Sequence, residues 1–203
     1  MIHTDPVMAR KARWASLVGT SLESYDFYIY AYFAAFFVGP LFFDPLGGFG
    51  GTLAAFLSIA LAFIIRPVGA ILFGHIGDRI GRRKTLIATV TMMGVATGLI
   101  GVLPTYDQAG WFGAAILVLL RLVQGISMGG EWGGAILVAT EHESGAKRAF
   151  AAAMPQLGSP IGSILSATAF IWLTLALTNE EIAAWAWRLP FLTAIPLLLV
   201  SLY

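Results

Sequence analysis

Residues 51–84 read GTLAAFLSIALAFIIRPVGAILFGHIGDRIGRRK. From Gly51 to His75 the only charged side chain is Arg66, and the run then meets Arg79, Arg82, Arg83 and Lys84. A helix needs about 20 mostly apolar residues to cross a hydrocarbon core at about 1.5 Å per residue. This stretch is long enough, and it ends in the cations that stay on the cytoplasmic side of a membrane. A transmembrane β-strand would alternate apolar and polar residues. Neither Ile87 to Val95 nor Ala114 to Leu120 alternates, so helices are expected.

Composition extends this reading to the whole chain. Hydrophobic residues make up 58% of the 203 and charged residues 11%, against about 45–50% and about 25% in soluble domains. So few charges do not cover a soluble exterior, whereas lipid tails solvate apolar side chains directly. Six spans are expected, at about 15–43, 51–75, 85–104, 110–138, 150–177 and 188–203, after a tail over 1–13. Asp44-Pro45-Leu46-Gly47-Gly48 and Pro104-Thr105-Tyr106-Asp107 read as turns between them. There are no cysteines, which excludes disulfides and thiolate chemistry. No metal, cofactor or nucleic acid is expected.

Charge placement orients the spans. Arg10, Lys11 and Arg13, then Arg79, Arg82, Arg83 and Lys84, then Lys147 and Arg148 fall on one side. Only Arg188 falls on the other, and Arg66 and Arg121 lie within spans. The basic side is expected to be cytoplasmic, with the N-terminus inside a bacterial inner membrane. Asp44, Asp107 and Glu180-Glu181 face outward, and Trp111, Trp185 and Trp187 are expected in an outer aromatic belt. The basic tail resembles the start of a secretory signal, but Glu23 and Asp26 interrupt the following apolar run, so a retained first helix is expected.

Ionisable groups inside hydrocarbon cost about 2.5–3.5 kcal/mol each on insertion scales and usually face the bundle interior. Glu23, Asp26 and Tyr30 share one face of the first span; Arg121, Gln124, Met128 and Glu131 share one face of the fourth. Glu23 lies ten residues past Arg13, and Arg121 ten past Trp111. Each is therefore about 15 Å deep from its own side. Arg121 and the two carboxylates are expected to meet near mid-membrane, with Glu131 close to the cytoplasmic surface. One reading is a structural pair that orients helices. The other is a polar cavity in which a carboxylate takes up and releases a proton as its cation partner moves. For Arg66, which precedes Pro67, the structural reading is preferred: it satisfies carbonyls freed by the proline.

Glycines at four-residue spacing let helices approach closely in lipid. They are Gly94 and Gly98; Gly125, Gly129 and Gly133; Gly130 and Gly134; and Gly158 and Gly162. Pro67, Pro155 and Pro160 are expected to bend their helices. Spans one and four carry most of the midplane charges and spans two and five the internal prolines, an echo of a 3+3 inverted repeat.

Gly74-His75-Ile76-Gly77-Asp78-Arg79-Ile80-Gly81-Arg82-Arg83-Lys84 resembles the cytoplasmic loop signature of the major facilitator superfamily. In that loop Gly77 and Gly81 permit a tight turn, and Asp78 caps or faces a helix N-terminus. Arg121-Leu122-Val123-Gln124-Gly125 resembles its fourth-helix pattern, where the arginine is tied to proton transfer. Leu157-Gly158-Ser159-Pro160-Ile161-Gly162 matches the fifth-helix pattern of its antiporters only loosely, which leans toward symport. Glu23-Ser24-Tyr25-Asp26-Phe27, Arg66-Pro67-Val68-Gly69, Gly129-Gly130-Glu131-Trp132-Gly133-Gly134 and Trp187-Arg188-Leu189-Pro190-Phe191 resemble the metabolite:proton symporter subfamily. Its members include shikimate, α-ketoglutarate, citrate and proline/betaine carriers, the shikimate type being nearest.

The resemblance implies an all-α membrane protein, the six-helix N-terminal bundle of a twelve-helix fold. It implies a secondary transporter that moves a small organic acid or zwitterion with a proton. Glu23, Asp26, Tyr30, Arg121, Gln124 and Glu131 become candidates for the substrate and proton pathway. Gly74, Asp78, Arg79, Gly81, Arg82 and Arg83 become a cytoplasmic gate, with Glu141 as a partner for Arg82. The expected partners are the bilayer, a metabolite with a proton, and a C-terminal half beyond Tyr203. Without that half, a non-transporting fragment or scaffold is the alternative. An intramembrane hydrolase is more remote. Gly125-Ile126-Ser127-Met128-Gly129 spells a nucleophile elbow, but that motif needs a strand-turn-helix context, and His3, His75 and His142 all lie far from Ser127.

Overall fold

The computed structural model describes the backbone of residues 6–140 and 146–202, and the side chains of 10, 13–130, 149–150, 153–154, 156–196 and 198–199. The described chain is helical throughout, as six rods. The first is α1 (Pro6–Phe33), a π-turn over Ala34–Val38 and α2 (Gly39–Phe42). The second is α3 (Gly47–Ile64) followed by α4 (Arg66–Ile80), and the third is α5 (Arg82–Ile100). After the single turn α6 (Tyr106–Ala109) come the fourth, α7 (Trp111–Thr140), and the fifth, α8 (Ala146–Ala176). The short α9 (Asn179–Glu181) leads into the sixth rod: a π-turn over Ile182–Ala186, α10 (Arg188–Leu192) and α11 (Ala194–Leu202).

Several expectations need correction. The motif from Gly74 to Lys84 is no loop: α4 runs to Ile80, α5 starts at Arg82, and Gly81 alone joins them. Its φ of +97° is open to glycine and strained for other residues. Gly77 is an ordinary helical residue with room for a methyl group. Pro67 interrupts its rod at Ile65, between α3 and α4, because its ring would collide with the carbonyl four residues back. Helix α8 runs continuously past Pro155 and Pro160. Trp111 and Trp185 are half exposed, but Trp187 is buried against Phe42 and Phe191 and belongs to no outer belt.

The rods pack as two exchangeable sets of three. The first lies along the fifth as the fourth lies along the second, and the third meets the fourth as the sixth meets the first. First and fourth also touch each other, as do third and sixth. A rotation exchanging rods one to three with four to six preserves every one of these pairings, as a 3+3 repeat requires.

Close approach at these seams rests on missing Cβ atoms. A Cβ on Gly125 would strike the Ala62 carbonyl, on Gly129 the Arg66 carbonyl, and on Gly69 the Ile126 carbonyl. On the first and fifth rods, a Cβ on Gly158 or Gly162 would strike the backbone of α1 at Leu17 or Ser21. Gly94 and Gly98 seat Leu198 and Ile195 of α11.

The interior is layered. One apolar cluster holds Ile29, Tyr30, Phe33, Phe42, Ile100, Leu117, Trp187 and Phe191; the other holds Leu22, Leu86, Val90, Met93, Met128 and Leu198. Asp26, Thr97, Arg121 and Gln124 lie on α1, α5 and α7 between members of the two clusters. Outside, the rods present Phe49, Ile64, Ile71, Phe112, Leu175 and Leu199, all strongly exposed. A polar middle inside an apolar shell is stable only in an apolar solvent. By length and composition, three stretches among the described residues qualify as crossings: Asp44–Ile80, Trp111–Gly130 and Gln156–Ala176. The first rod misses that standard where it carries Glu23 and Asp26, and the sixth is divided into short pieces.

The seam geometry predicts that G129V abolishes recovery of monodisperse protein. G74V, at a site with nothing within 4 Å of a Cβ, leaves it near wild type. Size-exclusion chromatography in detergent makes the comparison.

Candidate functional site

The steps of three and four along α1 and α7 bring Asp26, Tyr30, Arg121 and Gln124 together where the helices meet. Arg121 Nη1 donates to Asp26 Oδ2 at 3.3 Å and to Gln124 Oε1 at 2.8 Å. Gln124 Nε2 donates to Asp26 Oδ1 at 2.7 Å and lies 2.9 Å from Thr97 Oγ. Thr97 Oγ is 2.7 Å from Asp26 Oδ1 and 2.9 Å from the Met93 carbonyl, so its one hydrogen serves one of them at a time. Tyr30 lays its ring 3.8 Å from the guanidinium carbon of Arg121, a cation–π contact. Its hydroxyl meets Ser58 Oγ at 2.6 Å, and Ser58 Oγ donates to the Ala55 carbonyl. The side chains of Asp26 and Arg121 are each only 3% exposed.

Glu23 does not join this group. The equal-depth expectation pairs Arg121 with both carboxylates, but Glu23 projects a turn away and faces Arg66, with Oε1 3.9 Å from Nη2. Arg66 also donates to Met128 Sδ at 3.3 Å and covers the Phe63 ring at 4.0 Å. Its expected bonds to freed carbonyls are not among the described contacts. In the Gly74–Lys84 motif, Arg82 donates to Asp78 at 3.1 Å on the surface, where both side chains are at least half exposed. Asp78 therefore faces the first turn of α5 without capping it. Glu131 and Gly133 lie in α7 beyond its described side chains, and Glu141 lies outside the described residues.

Sequence reasoning missed Thr97, Ser58 and Tyr25. Thr85, Thr89 and Thr97 recur at multiples of four on α5 and all are buried; that hydroxyl stripe was the available signal. Tyr25 donates to the Pro190 carbonyl at 2.8 Å, tying the first rod to the sixth. Nothing in one sequence marks a contact across 165 residues.

The chemistry open to this group is proton exchange at Asp26. The carboxylate lies within hydrogen-bond reach of Arg121, Gln124 and Thr97, and displacement of Arg121 would take away its counter-ion. Ser127 lies in mid-helix, on no strand-turn-helix elbow, and donates to the Thr89 carbonyl; among the described residues no base bonds to it.

An apolar-shelled helical bundle with a sealed ion pair at its centre defines a multi-pass membrane protein. The family model described as Sugar (and other) transporter matches residues 12–203, and the chain belongs to that family of transporters, not of enzymes. It is 45% identical over 200 residues to the inner membrane metabolite transport protein YhjE of Escherichia coli, covering 98% of this chain and 45% of that one. It is 42% identical to the E. coli shikimate transporter, covering 96% of this chain and 44% of that one. It is 36% identical to the glycine betaine/proline/ectoine/pipecolic acid transporter OusA of Dickeya dadantii, covering 98% and 40%. The chain thus spans a little under half the length of these relatives. Its fold is that of the major facilitator superfamily: the proton:xylose symporter XylE superposes with a TM-score of 0.82 at 16% identity, over 96% of this chain and 44% of that structure.

Removing one member of a buried pair strands the other and costs about 3–5 kcal/mol. R121M is expected to lose that much against unfolding in detergent, and the D26N/R121M double substitution to recover most of it. Additive losses would show that the two side chains are not coupled.

Proposed function

We propose that this chain forms the N-terminal half of a proton-coupled symporter for a small organic acid or zwitterion, working by alternating access with a second six-helix half. The observation that carries the reading is Asp26, sealed between two apolar layers and held by Arg121, Gln124 and Thr97. A buried pair of this kind gives little stability that packed apolar residues would not also give. Intramembrane ionisable groups are by default working parts. Asp26 is the proton site, Arg121 its removable counter-ion, and Gln124, Tyr30 and Thr97 hold both in register. Glu23 and Glu131 extend the pathway toward the cytoplasm.

The chain crosses a bacterial inner membrane six times with its N-terminus inside, as the basic residues at 10–13 and 79–84 argue. The gate comprises Gly74, Asp78, Arg79, Gly81, Arg82 and Arg83, with Glu141 as the candidate partner of Arg82. The exposed Asp78–Arg82 pair suits a contact that breaks cheaply. The transporter names carried by YhjE, the shikimate transporter and OusA support a small metabolite as the cargo.

The test uses the full-length protein in proteoliposomes with labelled shikimate, glycine betaine and proline. D26N is expected to cut accumulation driven by a pH gradient by at least about tenfold, while leaving exchange of substrate against substrate running. Undiminished pH-driven accumulation in D26N refutes the assigned role.

A further inference from the structure

The two intramembrane ion pairs differ in how well their cations are served. Around Asp26 both carboxylate oxygens are engaged, Arg121 is covered by Tyr30, and each side chain is only 3% exposed, although Arg121 Nε itself lacks an acceptor. Arg66 stands otherwise. A guanidinium carries five donors, and here the oxygen paired with it is that of Glu23 at 3.9 Å, too long for a good hydrogen bond. Its one hydrogen bond among the described residues goes to the thioether of Met128, a weak acceptor. Its Nε is buried without a partner. Yet 30% of the side chain is exposed, ten times the exposure of Arg121.

The position of Arg66 suits a ligand. It opens α4 directly after the one-residue break at Ile65, so its side chain leaves the rod at that interruption. Phe63 braces one face of the guanidinium at 4.0 Å, which fixes the plane of the fork without using its donors. Met128 is one turn beyond Gln124 on α7, and Glu23 nearly one turn before Asp26 on α1. The pair therefore adjoins the proton site without sharing its hydrogen bonds.

We propose that Arg66 is the substrate-anchoring residue: it binds the carboxylate of the transported metabolite through its planar fork, and Glu23 is the internal carboxylate that the substrate displaces. A planar guanidinium matches a carboxylate through two parallel N–H···O bonds, which Glu23 does not supply at its present distance. Glu23 then serves as a loose counter-ion that keeps the empty site from stranding a cation. The class of ligand is a carboxylate-bearing small molecule, not a neutral sugar. The inference rests on the transport reading and adds to it the group that recognises the cargo.

The test reconstitutes the full-length protein and measures uptake of labelled shikimate, glycine betaine and proline, each beside its methyl ester, and of xylose and glucose. The expected result is uptake of at least one carboxylate and of no ester or sugar. For that carboxylate, R66Q should raise KM about 10- to 100-fold with little change in the maximal rate, and R66K should fall between. E23Q, which removes the internal competitor, should lower KM several-fold. It also decides the matter if R66Q does not fold. Uptake of sugars or esters alone, an R66Q KM equal to wild type, or an E23Q KM unchanged or raised each overturns the assignment while leaving transport intact. Absence of uptake of any of these compounds defeats both the anchor and the transport reading. Loss of pH-driven accumulation in D26N with the Arg66 dependence retained separates the proton site from the anchor.

Discussion

Asp26 and Arg121 meet 3.3 Å apart where neither side chain reaches solvent, and the bundle is arranged so that this is tolerable. Taking two charges from water costs several kcal/mol per ion, recovered only when the geometry is good and other groups satisfy the remaining lone pairs and protons. Gln124, Thr97 and Tyr30 meet most of that need from three helices. Their convergence requires α1, α5 and α7 to come close. The glycine seams pack two of these helices from outside, holding α7 against the second rod and α1 against the fifth. The apolar clusters on either side keep water from relieving the pair.

Much of this was legible in the residue pattern, for identifiable reasons. Long apolar runs broken by turn residues gave the rods, because length and hydropathy are one-dimensional properties. Asp26, Tyr30, Arg121 and Gln124 could be grouped because helical spacing predicts a shared face. Depth was less well read. Glu23 and Arg121 count as equally deep from opposite sides, but counting takes no notice of which way a side chain leaves its helix, and Glu23 leaves toward Arg66. The same gap hid Thr97 and Ser58, whose roles depend on packing between rods. The Gly74–Lys84 motif was legible as a family signature, but its expected loop is Gly81 alone, since helices continue through basic residues wherever the backbone bonds are kept. Trp187 failed as a belt residue because Phe42 and Phe191 enclose it.

On the proposed reading, the two ion pairs would divide the work of a coupled carrier. The sealed one, with both side chains 3% exposed, would respond to a change in helix position and not to a ligand directly. The loose one, with an unpartnered Nε and a long contact to Glu23, would respond to a ligand. Met128 and Gln124 on α7, with Glu23 and Asp26 on α1, join the two sites through rigid helices. On that reading, a carboxylate drawn to Arg66 and a proton taken by Asp26 would act on the same pair of rods, the proposed physical basis for coupling them.

The decisive measurement is a dipolar-recoupling solid-state NMR distance between 15N-labelled arginine and 13C-labelled aspartate in the lipid-reconstituted chain. The surface contact of Arg82 with Asp78 also contributes, so the experiment is run in D78N. A strong side-chain dephasing that persists in D78N and vanishes in D78N/D26N is the predicted result. Loss of the signal in D78N alone would mean that Asp26 and Arg121 do not meet in the membrane, and the proton site would have to be sought elsewhere.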